Sequence, residues 1–345
     1  MSRQNLTELN LRCIETVARF RVMTTEQLHR MVFADRERSA TENSVANVMR
    51  RLHEKNFVSR DWLALLSPER GVYDKPRAVW FVTPPNFAAI RAELARTERA
   101  DRYEELRALA RQASDTKAFA INTLRHELAI TEFYVSLERA GRVGAARVPF
   151  WLRTSPRHPE ISTTVRAKKT FTKGGAAGKS IDVDLPLNPD GLHAVQTDRG
   201  TAFFFLEIDM NTETGLEKLA NKFLAYYVYF DRDLFGKTLA PMLCERHRLT
   251  VSDPSRVRFR VLFVTPNAKR RNDLLLRSRI LPTANVFQFT TLTELAKDPF
   301  GPVWLSKKDF EPHLDEYNRR THTDPHASLR AWGHGILDRL PKHSL

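Results

Sequence analysis

Residues 189–209 read PDGLHAVQTDRGTAFFFLEID, and this stretch decides the fold of the second half of the chain. Its last nine residues, TAFFFLEID, form an apolar run that ends in carboxylates. Strand alternation sorts these side chains onto two faces, with Phe203, Phe205, Glu207 and Asp209 on one and Phe204, Leu206 and Ile208 on the other. The pattern predicts a buried strand of an α/β sheet with acidic residues at its carboxyl end.

The short strand GLHAV and the turn QTDRG precede this strand and predict a hairpin. A turn centred on Asp198 and Arg199 places Asp190 opposite Glu207, with Cβ atoms about 4.5–5.5 Å apart. A bulge at Gly200 would shift that pairing by one residue. Two carboxylates this close repel unless a cation or a proton lies between them, so we expect Asp190 and Glu207 to hold Mg²⁺ or Mn²⁺. In the alternative, Glu207 and Asp209 leave the sheet and pair with Lys or Arg.

A helix is predicted to begin near Thr214 and to carry Lys218 and Lys222 one turn apart. Either lysine could bring an ammonium group to the two acids, or both could lie on a solvated helix face. The next segments, VRFRVLFVTP, NAKRRNDLLLRS and NVFQFTTL, predict a strand, a helix and a strand that complete the sheet. The basic residues of this last helix predict contacts with a nucleic-acid backbone: Lys269, Arg270 and Arg271, together with Arg277 and Arg279. An ordinary solvated helix is the alternative.

The first ninety residues have the pattern of a winged helix-turn-helix. Helical spacing predicts helices over about 6–20 and 41–55, and a capping box from Thr24 to Gln27 predicts the start of a helix between them. The segments FVSRDWLALL and RAVWFV, joined by the turn-rich SPERGVYDKP, predict a β-hairpin, the wing. A small helical domain that binds protein is the alternative.

The third of these helices is the predicted recognition helix. Val45, Val48 and Leu52 face the core, which leaves Asn43, Asn47 and Arg50 on the opposite side. Asn and Arg make the bidentate contacts that read adenine and guanine. Further DNA contacts are predicted from residues beside this face and at the tip of the wing: Arg51, Arg70, Lys75 and Arg77.

Four segments follow from these patterns: a winged helix over 1–90, a charged helical connector over 91–116, an α/β domain over 117–305 and a tail over 306–345 to which we assign no role. The connector is predicted to be a solvated helix or the arm of a homodimer. A buried helix over about 117–140 should follow it, with one face formed by Leu124, Leu128, Thr131 and Val135.

The composition favours a DNA partner. Lys and Arg total 55 against 41 Asp and Glu, so the net charge is +14, and an anionic partner such as nucleic acid compensates a charge of this size. No run approaches the ~18–20 apolar residues of a membrane span, and the N-terminus lacks the apolar core of a secretory signal. We therefore expect a cytoplasmic protein. The segment KGGAAGKS is not a phosphate-binding loop, because Lys173 stands where that motif needs its first glycine and a strand is predicted after Ser180.

The order of acidic residues and strands resembles the core of PD-(D/E)xK nucleases: Asp190 follows a proline, a hairpin comes next, and Glu207 and Asp209 end its second strand. Those nucleases have a restriction-endonuclease-like fold with a mixed central sheet. The whole chain resembles the replication-relaxation family of bacterial plasmids and mobile elements over most of residues 6–290. The positions that match that family are Asp190, Glu207, Asp209, Lys222 and Tyr226. The resemblance implies binding of plasmid DNA and a role in replication or its control.

One departure from the nuclease pattern leaves catalysis open. Active enzymes of that kind carry a lysine two residues after the second acid, and Asp209 stands there. The leading hypothesis is therefore a protein that binds double-stranded DNA. The first alternative is a Mg²⁺-dependent endonuclease or nickase that uses Asp190 and Glu207, with Lys222 or Lys218 as the cationic group. The second is a transcriptional or copy-number repressor whose α/β domain only dimerises it.

Overall fold

The computed structural model describes residues 6–33, 41–64, 75–97, 102–106, 121–144, 146–154, 158–170, 180–210, 216–278, 281 and 286–307. Of the predicted features, Arg70, Arg279, the glycine-rich loop 171–179 and the tail from 308 onward lie outside these residues. Contacts between Cα atoms divide the chain into two compact units, Met1–Val135 and Ser136–Leu345, so that the division falls within one helix. The four segments named from the sequence stay a prediction.

Unit 1 begins with three helices, and the capping box predicted for the second of them is confirmed. Thr7 caps the first helix, the Thr24–Gln27 capping box is fully formed at the second, and Thr41 caps the third. The second helix continues into a single π-helical turn at His29–Phe33. The helices of this unit include α1 (Glu8–Phe20), α2 (Thr25–Leu28), α3 (Glu42–Glu54), α4 (Pro84–Arg96) and α5 (Ile121–Val143), the last of which continues into unit 2.

A small antiparallel sheet completes unit 1. Its strands are β1 (Val22–Thr24), β2 (Ser59–Leu63) and β3 (Arg77–Phe81), in the order β1-β3-β2. The β2–β3 pair is the predicted hairpin. Leu63, Val79 and Val22 from the sheet pack against Leu124 and Leu128 of α5, which confirms the predicted buried face of that helix.

Unit 2 contains a mixed five-stranded sheet in the order β10-β9-β8-β7-β4, and β5 and β6 form a separate antiparallel hairpin. β8 pairs antiparallel with β7 and parallel with β9, so it lies inside the sheet, as its apolar run predicted. The strands are β4 (Trp151–Arg153), β5 (Thr163–Thr170), β6 (Ser180–Leu187), β7 (Gly191–Thr197), β8 (Gly200–Ile208), β9 (Phe259–Thr265) and β10 (Phe287–Thr291). The fold is therefore mixed α/β. A strand does follow Ser180, as predicted.

Four helices of unit 2 pack with this sheet: α6 (Leu216–Asp231), α7 (Leu234–His247), α8 (Ala268–Ser278) and α9 (Leu292–Lys297). The core between sheet and helices is rich in aromatic rings. Phe205 of β8 contacts Tyr226 and Phe235 of the helices, and Phe223 of α6 contacts Phe287 of β10. Burying one such ring contributes about 1.5–3 kcal/mol. This core fixes α6 over β8, the strand that carries Glu207.

Gly236 lets α7 approach the segment that follows it. A Cβ atom at this position would lie 2.3 Å from the carbonyl oxygen of Ser255. Any other residue would push the helix and the Pro254–Arg256 turn apart. In the part of the chain that the structure describes, no helix is long and apolar enough to cross a membrane.

Candidate functional site

The β7–β8 hairpin brings Asp190 and Glu207 together. Its register pairs Gly191 with Leu206 and Thr197 with Gly200, which is the predicted pairing without a bulge. Asp190 lies one residue before β7: its backbone N–H donates to the Leu206 carbonyl at 2.9 Å, and its Oδ2 accepts the Ile208 N–H at 2.7 Å. The side chain of Asp190 is therefore held against the end of β8, beside Glu207.

Glu207 is buried and both of its carboxylate oxygens accept hydrogen bonds from α6. Lys222 donates its Nζ to Oε2 at 2.8 Å, and Tyr226 donates its hydroxyl to Oε1 at 2.6 Å. Lys222 and Tyr226 are four residues apart and so lie on one face of the helix. Of the two predicted lysines, the structure brings Lys222 to the acids. Among the described contacts, exposed Lys218 forms no ion pair with either one.

Burial raises the pKa of Glu207 to about 7, against an ordinary value of 4.5. The charge of Lys222 lowers this pKa and the charge of Asp190 raises it. The effect of burial is the largest because a carboxylate without water loses most of its solvation. Burial also raises the pKa of Tyr226 well above 10, and the charge of Glu207 raises it further. Tyr226 is therefore a neutral hydrogen-bond donor at neutral pH.

Asp209, at the position of the usual nuclease lysine, is paired with an arginine of α8. Arg270 donates its Nη2 to Asp209 Oδ2 at 2.7 Å and its Nε to Oδ1 at 3.1 Å. Both side chains are nearly buried, at 10% and 9% exposure. Two parallel hydrogen bonds of this kind fix both side chains. Asp209 thus ties the end of β8 to α8.

A second group of predicted residues lies on α3 in unit 1. Val45, Val48, Met49 and Leu52 are buried, as the predicted inward face requires. The predicted base-reading residues and the arginine beside them are all exposed: Asn43, Asn47, Arg50 and Arg51. Arg51 donates its Nε to the Asn47 carbonyl at 3.3 Å, and Arg50 lies 3.9 Å from Glu54. These are weak, solvent-exposed contacts, so the side chains can turn toward a ligand.

The other predicted basic residues divide into exposed and internally paired groups. Lys75 and Lys269 are exposed, and Arg77 is also exposed but pairs with Glu26 at 2.8 Å on the surface. Arg271 is 1% exposed, and its Nη1 lies 2.7 Å from each carboxylate oxygen of Glu294. Arg270 and Arg271 therefore neutralise carboxylates inside unit 2, and a phosphate contact at these two positions stays a prediction.

The model of one protein family, described as replication-relaxation, matches residues 14–238 of this chain. The chain belongs to the replication-relaxation family. The matched segment of this replication-relaxation protein includes α3, Asp190, Glu207, Lys222 and Tyr226, and it ends before Arg270. No curated protein and no solved structure matches the chain.

The acidic pair of the replication-relaxation protein offers a divalent cation two hard oxygen ligands, the number that Mg²⁺ often takes from a protein. Both oxygens of Glu207 already accept hydrogen bonds, and an ammonium group lies at Oε2. Within the described ranges, no group of three or more His, Cys, Asp or Glu residues could hold a metal ion. The residues present thus fit a divalent cation only if it displaces Lys222, which is 31% exposed and can move.

Sequence reasoning missed Arg270 as the partner of Asp209 and Glu294 as the partner of Arg271. These pairs join residues 61 and 23 positions apart, and no local pattern connects them. It also missed Trp62, an exposed indole on β2, although strand alternation already places Arg60 and Trp62 on one face. The aromatic side chain at an exposed strand position was the available signal.

Proposed function

We propose that this protein binds double-stranded DNA through α3 and acts in the replication of a plasmid or mobile element, or in its control. The family to which it belongs is described as replication-relaxation, and this description supports a role in replication. The observation that carries the DNA-binding proposal is the exposed polar face of α3, because three of its exposed side chains are residues that read base edges: Asn43, Asn47 and Arg50.

The order of elements in unit 1 supports a winged helix. Three helices are followed by a hairpin, and the short strand β1 adds to that hairpin as a third strand. In such domains the third helix enters the major groove and the wing contacts the backbone beside it. Arg51 and Lys75 are exposed and would contact phosphates. The net charge of +14 would strengthen every one of these contacts at low salt.

Unit 2 would then be a nuclease-like domain in which Lys222 stands in place of a metal ion. The Lys222 ammonium lies at Glu207 Oε2, where it offsets part of the charge of the acidic pair without a divalent cation. The paired Asp209 gives the end of β8 a structural role. The domain would contribute shape and surface to DNA binding, with no chemistry of its own.

DNA binding by the whole chain should be measured by fluorescence anisotropy at two salt concentrations. The probes are labelled duplexes that together cover a set of plasmid sequences. We expect Arg50→Ala to weaken binding to the preferred duplex by about 5- to 150-fold, the loss of one bidentate base contact. The matched control is Arg256→Ala, which removes the same charge from a side chain of unit 2 that is 88% exposed. Equal affinity of wild type, Arg50→Ala and Asn47→Ala would contradict the proposal.

A second candidate function is metal-dependent nicking. The observation that favours it is the contact of Lys222 with Glu207 beside Asp190, since a cation and two acids are the groups that such chemistry uses. If Mg²⁺ or Mn²⁺ displaced Lys222, Asp190 and Glu207 would hold the ion, and it would supply Lewis-acid stabilisation of a phosphate. Lys222 would then be free to contact the same phosphate.

Supercoiled plasmid incubated with Mg²⁺ or Mn²⁺ separates the two candidates. Nicking by wild type that disappears in Glu207→Gln and in Lys222→Met would establish an enzyme centred on this cluster. Salt-sensitive binding without cutting, equal in wild type and both variants, would support a DNA-binding protein. Arg256→Ala again serves as the control for lost charge.

A further inference from the structure

Trp62 on β2 is an exposed aromatic side chain with no place in the function proposed so far. It is 58% exposed, whereas Trp80 on the neighbouring strand is 1% exposed. An indole is a large apolar surface, and leaving one in water has no benefit for folding. Tryptophan is enriched at binding surfaces because its ring combines a large apolar face with a polar N–H group. A ligand with a flat apolar face could cover this exposed ring.

Arg60 holds the indole of Trp62 in place. Its guanidinium carbon lies 5.1 Å from the centroid of the Trp62 ring and 5.8 Å from that of Trp80. A guanidinium over an aromatic face is attracted by the ring quadrupole. The guanidinium of Arg60 thus lies against Trp62 and against a buried neighbour, while Trp62 as a whole stays 58% exposed.

The side of the sheet on which Trp62 lies is the side of α3. Arg60, opposite Trp80, and Trp62, opposite Ala78, alternate onto one face of the β2–β3 pair. Trp80 on this face donates its Nε1 to Thr25 of α2 at 2.9 Å and contacts the ring of His53 of α3. Trp62 lies two residues nearer the tip of the hairpin, beyond this anchor.

The surroundings of Trp62 match an anionic ligand with flat rings. Asp61 points to the opposite face by alternation, and its Oδ1 accepts the backbone N–H of Trp62 at 2.7 Å. The cation at Arg60 can contact a phosphate while the open indole face stacks on a base. Base stacking on an aromatic ring with a neighbouring arginine is the usual mode of binding to single strands.

We propose that Trp62 and Arg60 form a stacking site for an unpaired base of single-stranded DNA. This inference rests on the proposed DNA binding and assigns to the hairpin a ligand different from that of α3. In a duplex each base is already stacked between its neighbours and offers no free face to an indole. The site therefore selects melted or single-stranded DNA next to the duplex that α3 contacts.

Binding of full-length protein to a 15-nucleotide single strand and to the matching duplex should be measured for wild type, Trp62→Ala and Trp62→Phe. We expect Trp62→Ala to weaken single-strand binding by about 5- to 150-fold, the loss of one stacked base, and to leave duplex binding within about twofold. Trp62→Phe keeps a ring and should stay within about threefold of wild type. Ile181→Ala, which removes an exposed apolar side chain of unit 2, is the matched control and should change neither affinity.

Tryptophan fluorescence provides an independent readout. Stacking on a base quenches an indole, so the single strand should quench wild type more than Trp62→Phe, and the difference reports this position alone. Equal quenching in the two proteins, or equal single-strand affinity of Trp62→Ala and wild type, would overturn the inference. Tighter binding of RNA than of DNA of the same sequence would overturn the assignment of the ligand.

The two proposals can fail separately. If duplex binding depends on Arg50 while Trp62→Ala has no effect on single strands, only the stacking site is wrong. If wild type binds neither duplex nor single-stranded DNA, the proposed function itself is wrong. A stable fold of Trp62→Ala is expected because the residue is exposed, and thermal unfolding followed by far-ultraviolet circular dichroism would check it.

Discussion

Helices α3 and α8 have the same kind of sequence but use their arginines in opposite ways. Each carries adjacent arginines, Arg50 and Arg51 on α3 and Arg270 and Arg271 on α8. The arginines of α3 are exposed. Those of α8 are paired with carboxylates that come from other elements of unit 2, at the end of β8 and on α9. The sequence of a basic helix alone therefore does not tell whether its arginines face solvent or pair with acids from other elements of the fold.

Among the variants that test this contrast, Arg271→Ala should have the largest effect on the free energy of unfolding. The variant leaves Glu294 without its cation in a nearly closed environment, and breaking such a pair costs about 3–5 kcal/mol. The free energy of unfolding in urea should fall by that amount, whereas Arg50→Ala on α3 should change it by less than about 0.5 kcal/mol. A loss below about 1 kcal/mol for Arg271→Ala would remove the distinction between the two helices.

A second test concerns the buried acid beside α6. The folded protein holds the Glu207 proton to about pH 7, whereas an unfolded chain releases it near 4.5, so its contribution to stability is complete below about pH 4.5 and is lost as the pH rises through 7. The stability of wild type should therefore fall between pH 5 and 8 by on the order of 3 kcal/mol more than that of Glu207→Gln. Parallel pH profiles for the two proteins would show that burial of Glu207 has no such effect.

A smaller effect, on the salt dependence of DNA binding, is expected at Arg51, the predicted phosphate contact of α3. Arg51→Ala should reduce the slope of log Kd against log salt by about 0.9, the release of one counterion, and should weaken all duplexes alike. Thermal unfolding should be unchanged because Arg51 is exposed. A slope equal to that of wild type would place Arg51 outside the DNA interface.

The smallest effect is expected on α8. Lys269 is the exposed cation beside the two paired arginines, and Lys269→Ala should alter the stability by less than about 0.5 kcal/mol. Because the proposed DNA contacts lie on α3, Lys269→Ala should also leave the slope of log Kd against log salt unchanged. A slope reduced as much as in Arg51→Ala would make α8 a second DNA surface after all.

Local signals in the sequence predicted much of the fold correctly. The Thr24–Gln27 capping box, the apolar spacing of α3 and the register of Asp190 against Glu207 are all confirmed, because each depends on residues close together in the chain. Helix α7 was not predicted. It contains Gly236 and Pro241, which disfavour helices, and it forms because its apolar residues pack into the core and Ser255 requires a glycine beside it.

The candidate site was predictable in part. The two acids followed from the hairpin, and Lys222 and Tyr226 came from the resemblance to the replication-relaxation family. The choice of Lys222 over Lys218 could not be made from the sequence, since a turn of helix separates them and only the packing of α6 on β8 decides which one reaches Glu207. The fate of Asp209 depends on Arg270, 61 residues away.

The tight turn between β7 and β8 has a consequence for the order of folding. Thr197 pairs with Gly200, so this hairpin closes across two residues, whereas the pairing of Phe203 with Phe259 must wait for a long stretch of chain. Local contacts form first because closing a long loop costs more entropy. Asp190 and Glu207 would thus meet while both side chains are still hydrated. They would lose this hydration only when α6 and β9 pack against the hairpin. At about pH 6 we expect the refolding protein to take up a proton at that late step. Stopped-flow mixing with a pH indicator would detect the uptake. Proton uptake in the first kinetic phase would mean that Glu207 is buried before the rest of the sheet forms.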